Sequence, residues 1–189
     1  MFGQFLNIIV RSIKLDTSLY KDNKNFGEAA IYFSIIIILI TAIIGLIPGS
    51  IFLKFMGGVF GSSNIQGPSI RSVMVTTIIV WLIKTAYLYF VGVVLFPSRG
   101  TKSNYREILV TVGYASAPLI LNAFIVDAKL LYFIFIPYIW YNVSLIIGIN
   151  HILKFESYFK SSLIVLGPII ILFLFFISQL FGSYSSTIS

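Results

Sequence analysis

Residues 28–53 read EAAIYFSIIIILITAIIGLIPGSIFL and contain one charged side chain, Glu28 at the first position. At about 1.5 Å per residue, an α-helix of this length exceeds the roughly 30 Å hydrocarbon core of a bilayer. Lipid offers no partner to backbone N–H and C=O groups, so a spanning segment is a helix or a strand of a closed barrel. Barrel strands alternate apolar and polar residues, whereas Ile35–Ile40 is apolar throughout. Residues 28–53 therefore predict a transmembrane helix.

Four further apolar stretches of about this length follow in the chain, at Ser72–Phe96, Glu107–Val126, Lys129–Asn150 and Phe159–Phe181. Hydrophobic residues make up 58% of the chain and charged residues 10%, against about 25% charged in soluble domains. We predict an all-α fold: a polytopic transmembrane bundle of five helices plus an N-terminal interfacial amphipathic helix. The expected organisation is a cytoplasmic segment over residues 1–27, the transmembrane domain over 28–181 and a short extracytoplasmic tail over 182–189. Because the chain has no cysteine, disulfides and thiolate metal sites are excluded, and nothing in the sequence indicates a cofactor.

The distribution of basic residues predicts the topology. If the N-terminal segment, the second connector and the fourth connector share one side, that side holds Arg11, Lys14, Lys21, Lys24, Arg99, Lys102, Arg106, Lys154 and Lys160. The other side holds only Lys54, Arg71 and Lys129. This positive-inside bias places the N-terminus in the cytoplasm and the C-terminus outside. We interpret the net charge of +7 as contact with anionic lipid headgroups rather than with nucleic acid. The composition is compatible with a prokaryotic cell membrane.

The segment before the first stretch has a helical period of its own. Apolar residues share one face (Phe2, Phe5, Leu6, Ile9 and Ile13) and polar residues share the other (Gln4, Asn7, Arg11 and Lys14). A basic amphipathic segment of this kind is typical of helices that lie in the membrane interface. Asn25, followed three residues later by Glu28, resembles a capping box that opens the first span.

Lys84 is the one charge in the middle of a predicted span, about twelve residues from either end. A lysine at the bilayer centre costs about 2.5–3.5 kcal/mol on insertion scales, and no carboxylate lies at this depth to pair with it. The candidate polar site around it comprises Trp81, Tyr87, Asn122, Tyr141 and Asn142, with a carbonyl freed by Pro118 as a further acceptor. Three interpretations stay open: a structural lysine satisfied inside the bundle or in a water defect, a lysine that binds an anion or headgroup, and a misplaced span.

The fourth stretch places Tyr141, Ser144, Gly148 and His151 on one small and polar helix face. His151 is the only histidine and lies at the expected cytoplasmic end, where ordinary solvation is the simplest expectation. A pH-linked contact at the interface is its functional alternative. The sequence contains no HExxH motif, no paired carboxylates within a span and no metal-ligand cluster. We therefore expect no catalytic residues, no metal site and no enzyme activity.

Two short motifs carry a family resemblance. Residues 100–107 read GTKSNYRE and residues 112–119 read VGYASAPL, while residues 148–151 read GINH with Ser157 and Lys160 beyond. These motifs resemble the signature of the Yip domain family, the Ypt/Rab-GTPase-interacting membrane proteins, and in particular its short prokaryotic members. The resemblance implies a five-span membrane protein that acts through membrane-protein partners or self-association rather than by catalysis.

The resemblance has limits and implies roles for particular residues. Eukaryotic relatives bind small GTPases through a long acidic cytosolic region, which the roughly 27 residues before the first span lack, so we transfer GTPase binding to no residue. In the motif, Gly113 and Ala117 would let a neighbouring backbone approach. Tyr114 would donate a buried hydrogen bond, and Pro118 would free a carbonyl in the preceding turn. These four residues form either a packing motif or a ligand-contact motif.

Two functions follow as hypotheses. The first is a non-catalytic role in membrane organisation or partner scaffolding, indicated by the lack of catalytic residues and by the amphipathic N-terminal helix. The alternative is a transporter or channel for a small anionic or lipid-like solute, with Lys84 in a central cavity. A cavity that reaches Lys84 at mid-membrane depth would favour the alternative, whereas a dry, packed lysine would favour scaffolding.

Overall fold

The computed structural model describes residues 2–21, 26–59, 67–98, 100 and 103–185. Five of its helical segments are long and apolar enough to cross a membrane: Ala30–Val59, Ile70–Leu95, Tyr105–Phe124, Ala128–Ile152 and Tyr158–Phe175. The described residues contain no strand, and a short helix precedes the first span, so the predicted all-α five-span fold is confirmed. Lys24, Asn25, Arg99, Thr101 and Lys102, on which the topology, capping-box and motif predictions partly rest, lie outside the described residues, as does the end of the predicted tail.

The chain forms seven α-helices in the described part. They are α1 (Phe2–Ile13), α2 (Ser18–Lys21), α3 (Ala30–Val59), α4 (Ile70–Tyr89), α5 (Tyr105–Ala115), α6 (Phe135–Ile152) and α7 (Tyr158–Ser185). A π-helical segment, Phe90–Leu95, continues α4, while a 3-10 segment, Ala117–Phe124, follows α5, and another, Ala128–Ile134, precedes α6. The spans differ from simple rods because local sequence changes their hydrogen bonding, most clearly in the third.

The third span is an α-helix in its first half and a 3-10 helix in its second. A capping box starts α5: the Asn104 side chain accepts from the Glu107 backbone N–H at 2.9 Å, and the Asn104 N–H donates to the Glu107 carboxylate at 3.4 Å. The α-helix ends at Ala115, and Pro118 stands at the second position of the 3-10 segment. Proline has no N–H to continue the α-helical ladder, which explains the change of helix type at this point.

α5 is the central helix of the bundle, and residues 110–118 of this span are all buried. Its core neighbours come from α3 (Ile38), α4 (Trp81, Leu88), α6 (Leu145, Ile149) and α7 (Ile164, Val165). The outer faces of the other spans are apolar and exposed, as residues 169–175 of α7 show. A soluble protein does not expose apolar surface on this scale, so this arrangement agrees with a bundle whose solvent is lipid.

The N-terminal segment packs on the bundle. Ile8 of α1 and Leu19 and Tyr20 of α2 join Phe33 of α3 and Tyr114 of α5 in a second buried core. The predicted apolar face of α1 is therefore divided. Phe5 is half-buried toward the bundle, with its ring 5.7 Å from that of Phe33, whereas other apolar side chains of the face remain exposed. Periodicity predicted the helix, but the two buried residues that contact the bundle, Ile8 and Ser12, lie outside the predicted apolar face.

Candidate functional site

Lys84 of α4 lies inside the bundle, fourteen residues from the start of the Ile70–Leu95 span and eleven from its end. Its ammonium donates a hydrogen bond to the Tyr141 hydroxyl of α6 at 2.7 Å and lies 4.4 Å from the centre of that ring. An ammonium has three protons to donate, and Tyr141 is the one hydrogen-bond partner that the described residues give it. The Tyr141 hydroxyl therefore accepts from one of the three N–H groups of the Lys84 ammonium. The other two have no hydrogen-bond partner among the described residues.

A cavity of about 270 Å³ adjoins this lysine, formed where α3, α4, the third span and α6 meet. Its polar lining comprises Thr41, Thr76, Thr77, Lys84, Ser116, Tyr138 and Tyr141, and Trp81 forms part of the apolar wall. No carboxylate lines it among the described residues, so its one formal charge is the ammonium. Val80 and Tyr138 on its rim are about half exposed, so the cavity opens at the surface of the bundle between α4 and α6.

Two hydroxyl groups of the cavity lining already donate to carbonyls of their own helices. Thr41 donates to the Ile38 carbonyl at 2.9 Å, and Ser116 donates to the Val112 carbonyl at 2.9 Å. A hydroxyl whose proton is used in this way offers only lone pairs to the cavity. These two hydroxyls can therefore accept from water near the ammonium, and the Lys84 ammonium supplies the one formal positive charge that could attract an anion.

The structure brings some of the predicted polar residues together and leaves others apart. Trp81 and Tyr141 line the cavity with Lys84, although the Trp81 indole N–H is used by the Leu109 carbonyl at 3.2 Å. Tyr87 turns to α7 and donates to the Ile164 carbonyl at 3.1 Å.

Neither of the two predicted asparagines lines the Lys84 cavity. Asn142 donates to the Tyr138 carbonyl at 2.8 Å, one turn earlier in α6. Asn122 lies in the 3-10 segment and is 3% exposed; the amide oxygens of both residues have no hydrogen-bond partner. The serine and threonine residues of the cavity, by contrast, were not predicted to lie there, because these residue types occur at many span positions and give no distinct sequence signal.

At Gly113 the backbone of α5 lies close to α3. A Cβ atom built on Gly113 would meet the Ser34 side chain, with Oγ at 2.7 Å, and the Ser34 Cα at 2.9 Å. The Ser34 hydroxyl donates to the Ala30 carbonyl of its own helix at 2.9 Å and reaches the Val110 carbonyl at 3.3 Å. A glycine is needed here because any side chain would push the two backbones apart.

Pro118 acts on the other side of the same helix. In a regular α-helix the N–H of residue 118 would donate to the Tyr114 carbonyl, and proline has no N–H. The Ser12 hydroxyl of α1 donates to that carbonyl at 2.6 Å, with both residues fully buried. The proline of the motif thus leaves an acceptor, and the N-terminal helix supplies its donor.

The comparison with known families agrees with these features. A family model described as the Yip1 domain matches residues 17–179, which include all five spans. The chain belongs to the Yip1 domain family. It is accordingly an integral membrane protein. No curated protein and no solved structure gave a significant match.

In this Yip1 domain, α2 and α6 complete the attachment of the N-terminal segment through a cluster of hydroxyl groups. The Tyr20 hydroxyl lies 2.9 Å from the Ser144 hydroxyl, which in turn lies 3.3 Å from that of Ser12. All three residues are buried, and burial raises the pKa of Tyr20 to about 12 against the weaker opposing effect of its hydrogen bonds. Tyr20 therefore stays neutral and able to donate a proton. α1 itself precedes the residues that match the Yip1 domain, whereas Tyr20 and Ser144 lie within them.

The predicted small and polar face of α6 contacts α2 and α5 through Gly148 and Ser144, and α4 through Tyr141. A Cβ atom on Gly148 would lie 2.5 Å from the Thr111 methyl group and 3.0 Å from the Tyr20 ring, so this glycine makes room for the tyrosine. Ser144 enters the hydroxyl cluster and Tyr141 contacts Lys84. His151 lies at the end of α6, edge-on to Tyr158 at 6.4 Å, with its Nε2 atom buried and without a hydrogen-bond partner.

Proposed function

We propose that this Yip1-domain protein has a non-catalytic role in organising the membrane and the proteins around it, and that α1 is the part that enters the cytoplasmic leaflet. The proposal takes the N-terminus as cytoplasmic, the C-terminus as outside and the host membrane as a prokaryotic cell membrane. Its partners are anionic lipid headgroups and a membrane protein, which can be a second copy of the chain. One observation carries the proposal: α1 is attached to the bundle by one face while it exposes a separate apolar stripe.

Three faces of α1 have different surroundings. Ile8 and Ser12 point into the bundle and are 1% and 0% exposed. The apolar stripe consists of Phe2, Leu6 and Val10, which are 74%, 44% and 46% exposed. The polar face carries Gln4, Asn7 and Lys14, all exposed. A helix with one protein-facing, one apolar and one polar side is suited to the boundary between lipid and water beside a membrane protein.

The apolar stripe provides a measurable energy of insertion. Fully burying one such side chain contributes about 1.5–3 kcal/mol, so the exposed fractions of Phe2, Leu6 and Val10 together correspond to about 2.5–5 kcal/mol. The depth of an isolated amphipathic helix in the leaflet is determined by its own side chains alone. The depth of α1 is not, because the hydrogen bond from Ser12 to the Tyr114 carbonyl fixes α1 to α5.

The attachment point lies deep along the span. Tyr114 is nine residues beyond Tyr105, where α5 begins, which is about 14 Å of helix. The Trp140 indole also donates to the Ile13 carbonyl at 2.7 Å, twelve residues before Ile152, the end of α6 that lies on the same side as the start of α5 in the proposed topology. α1 and its apolar stripe therefore lie well inside the ends of the neighbouring spans. There α1 occupies space beside the bundle that lipid chains would otherwise fill. A helix in this position favours a thinner or more curved cytoplasmic leaflet.

The test reconstitutes the full chain into large vesicles of anionic lipid and measures vesicle shape by cryo-electron microscopy. The variant Phe2→Gln/Leu6→Gln/Val10→Gln removes the apolar stripe and leaves the attachment through Ile8 and Ser12 intact. The matched control is Gln4→Ser/Asn7→Ser, on the polar face of the same helix. We expect the unaltered chain and the control to produce narrower vesicles or tubules, and the triple variant to lose that effect.

Equal curvature from the triple variant would contradict the proposal. Deleting residues 1–15 is a poorer experiment, because it also removes Ser12 and its buried hydrogen bond to the Tyr114 carbonyl.

The cavity beside Lys84 favours a second candidate function, the binding or transport of a small anionic or lipid-like solute. Its support is an ammonium with two unused protons in a space of about 270 Å³ without a lining carboxylate among the described residues. The variant Lys84→Met removes the charge and keeps a side chain of similar length. We expect it to abolish solute flux into vesicles while the protein remains folded; unchanged flux would exclude a transport role for Lys84.

A further inference from the structure

We propose that the cytoplasmic end of the bundle holds a binding site for a phosphate group, beyond the role proposed above. The site is a cavity of about 560 Å³ enclosed by α2, the start of α5 and the end of α6. Its charged and titratable lining consists of Lys21, Glu107, His151 and Lys154. These residues come from three separate elements of the chain, so the cavity is a product of the fold rather than of one basic run.

Neither lysine forms an ion pair with an acidic side chain in the part of the chain that the structure describes. In the described part of the chain the one ion pair within 4.0 Å joins Arg11 and Asp16, away from this cavity. Lys21 and His151 line the same cavity although they belong to different helices. Positive groups gathered around one cavity repel one another, and an anion bound among them removes that repulsion.

Lys154 is held in an unusual backbone conformation that places it at the cavity. Its φ angle is 53°, in the left-handed region that glycine normally occupies after a helix. The turn is closed by the Phe155 N–H, which donates to the Asn150 carbonyl at 3.1 Å. A glycine would relieve the strain of the Cβ atom in this conformation, so the lysine is not explained by the needs of the turn.

The remaining lining groups suit a phosphate. The buried Nε2 atom of His151 has no hydrogen-bond partner and can contact an oxygen of the anion. The Glu107 carboxylate accepts from the Asn104 N–H at the start of its own helix. One carboxylate against two ammonium groups leaves the cavity positive, by about one charge with a neutral imidazole. A phosphate has several oxygens that can accept from separate lysines, as this arrangement requires.

The phosphate can come from two sources with the same chemistry, an anionic lipid headgroup or a soluble phosphate compound. The cavity lies at the cytoplasmic ends of α5 and α6, the level at which headgroup phosphates of that leaflet occur in the proposed topology. The experiment therefore has one arm for each source. The full chain in mild, uncharged detergent is titrated with inorganic phosphate and, separately, with short-chain phosphatidylglycerol, and binding is followed by calorimetry and by the melting temperature.

The decisive variant is Lys154→Gly, because it removes one ammonium and at the same time suits the left-handed backbone. We expect it to fold at least as well as the unaltered chain and to bind the phosphate ligand about 10-fold or more weakly. Lys21→Met should weaken binding to a similar extent. Lys14→Met, on the exposed face of α1, is the control and should bind normally.

Each outcome decides the question. Binding of phosphatidylglycerol alone identifies a lipid headgroup, and binding of inorganic phosphate identifies a soluble source; both support the site if Lys154→Gly weakens them. The proposal is overturned if neither ligand binds, or if Lys154→Gly and Lys21→Met bind as tightly as the unaltered chain. Because α1 is intact in every variant but the control, a failure here leaves the membrane-shaping proposal to its own test.

Discussion

Replacing Gly113 with alanine tests whether the family motif holds α3 against α5. The added methyl group would lie 2.9 Å from the Ser34 Cα and 2.7 Å from its Oγ, closer than carbon atoms approach without a shift. Backbone atoms cannot rotate away, so the two helices must separate. Overpacking of this kind costs about 1–3 kcal/mol, while alanine gains about 0.5–1 kcal/mol over glycine in a helix. We expect Gly113→Ala to lose about 1–2 kcal/mol of unfolding free energy.

Gly45→Ala is the matched control, since a Cβ atom there meets nothing within 4 Å. Gly45→Ala should gain only the higher helix propensity of alanine. The difference in unfolding free energy between the two variants therefore isolates the overpacking at Gly113. Ser34→Gly removes the Cβ and Oγ atoms that the new methyl group would meet, and the double variant should recover a large part of the loss. The assay is unfolding in mixed detergent with increasing sodium dodecyl sulfate, followed by far-ultraviolet circular dichroism.

The reasoning is refuted if Gly113→Ala is as stable as Gly45→Ala. It is also refuted if Ser34→Gly and Gly113→Ala act independently, because the contact between these residues requires their effects to be coupled.

The remaining predictions concern the N-terminal segment and the central lysine. Ser12→Ala should lower stability by about 0.5–1.5 kcal/mol by removing a buried hydrogen bond to the Tyr114 carbonyl, and hydrogen exchange should show α1 to be the part released. Hydrogen bonds from the Ser18 side chain, then from Arg11, lower the pKa of Asp16 from 3.8 to about 2. The stabilisation that the Asp16 carboxylate contributes is therefore fully present above about pH 4 and is lost as the pH falls toward 2. Hydrogen exchange of the α1 backbone should rise over that window, and Asp16→Asn should remove this pH dependence. Lys84→Met should leave unfolding stability unchanged or raise it by about 1–2 kcal/mol, since a partly desolvated charge is removed. Pro118→Ala supplies an N–H that competes with Ser12 for its acceptor, so α1 exchange should rise while the bundle keeps its stability; unchanged α1 exchange would contradict this account.

The fold was predictable because an unbroken apolar segment that crosses a bilayer must be a helix, and its length and apolar side chains can be read directly from the sequence. A segment such as residues 28–53 must satisfy its backbone groups internally, and its side chains alone determine whether it enters lipid. The limits of the spans were less predictable. α3 continues to Val59, beyond the predicted Leu53, because helix formation does not stop at the membrane surface. The 3-10 half of the third span was not predicted either, although Pro118 was recognised as the residue that interrupts the ladder.

The sequence predicted how deep the candidate-site residues lie along their spans. It did not predict which neighbouring helix each side chain faces. Lys84 and Tyr141 were placed at similar depths by counting along their spans, and the structure joins them at 2.7 Å. Tyr87 was included because it lies three residues from Lys84, yet its hydroxyl reaches the Ile164 carbonyl of α7. Counting along one helix fixes height, whereas the rotation that selects a neighbour depends on the packing of all the spans. For the same reason Thr41 and Ser116 could not be assigned to the cavity.

The motif around Gly113 also explains why α1 could not be understood from its own sequence. Alone, the segment has one broad apolar face, which is typical of a helix that floats in the interface. In the structure one side of α1 is instead held by the bundle, because Ser12 donates to the Tyr114 carbonyl, to which Pro118 cannot donate. A proline more than a hundred residues away thus sets the depth and rotation of α1, and so determines that Phe2, Leu6 and Val10 are the residues left to meet lipid.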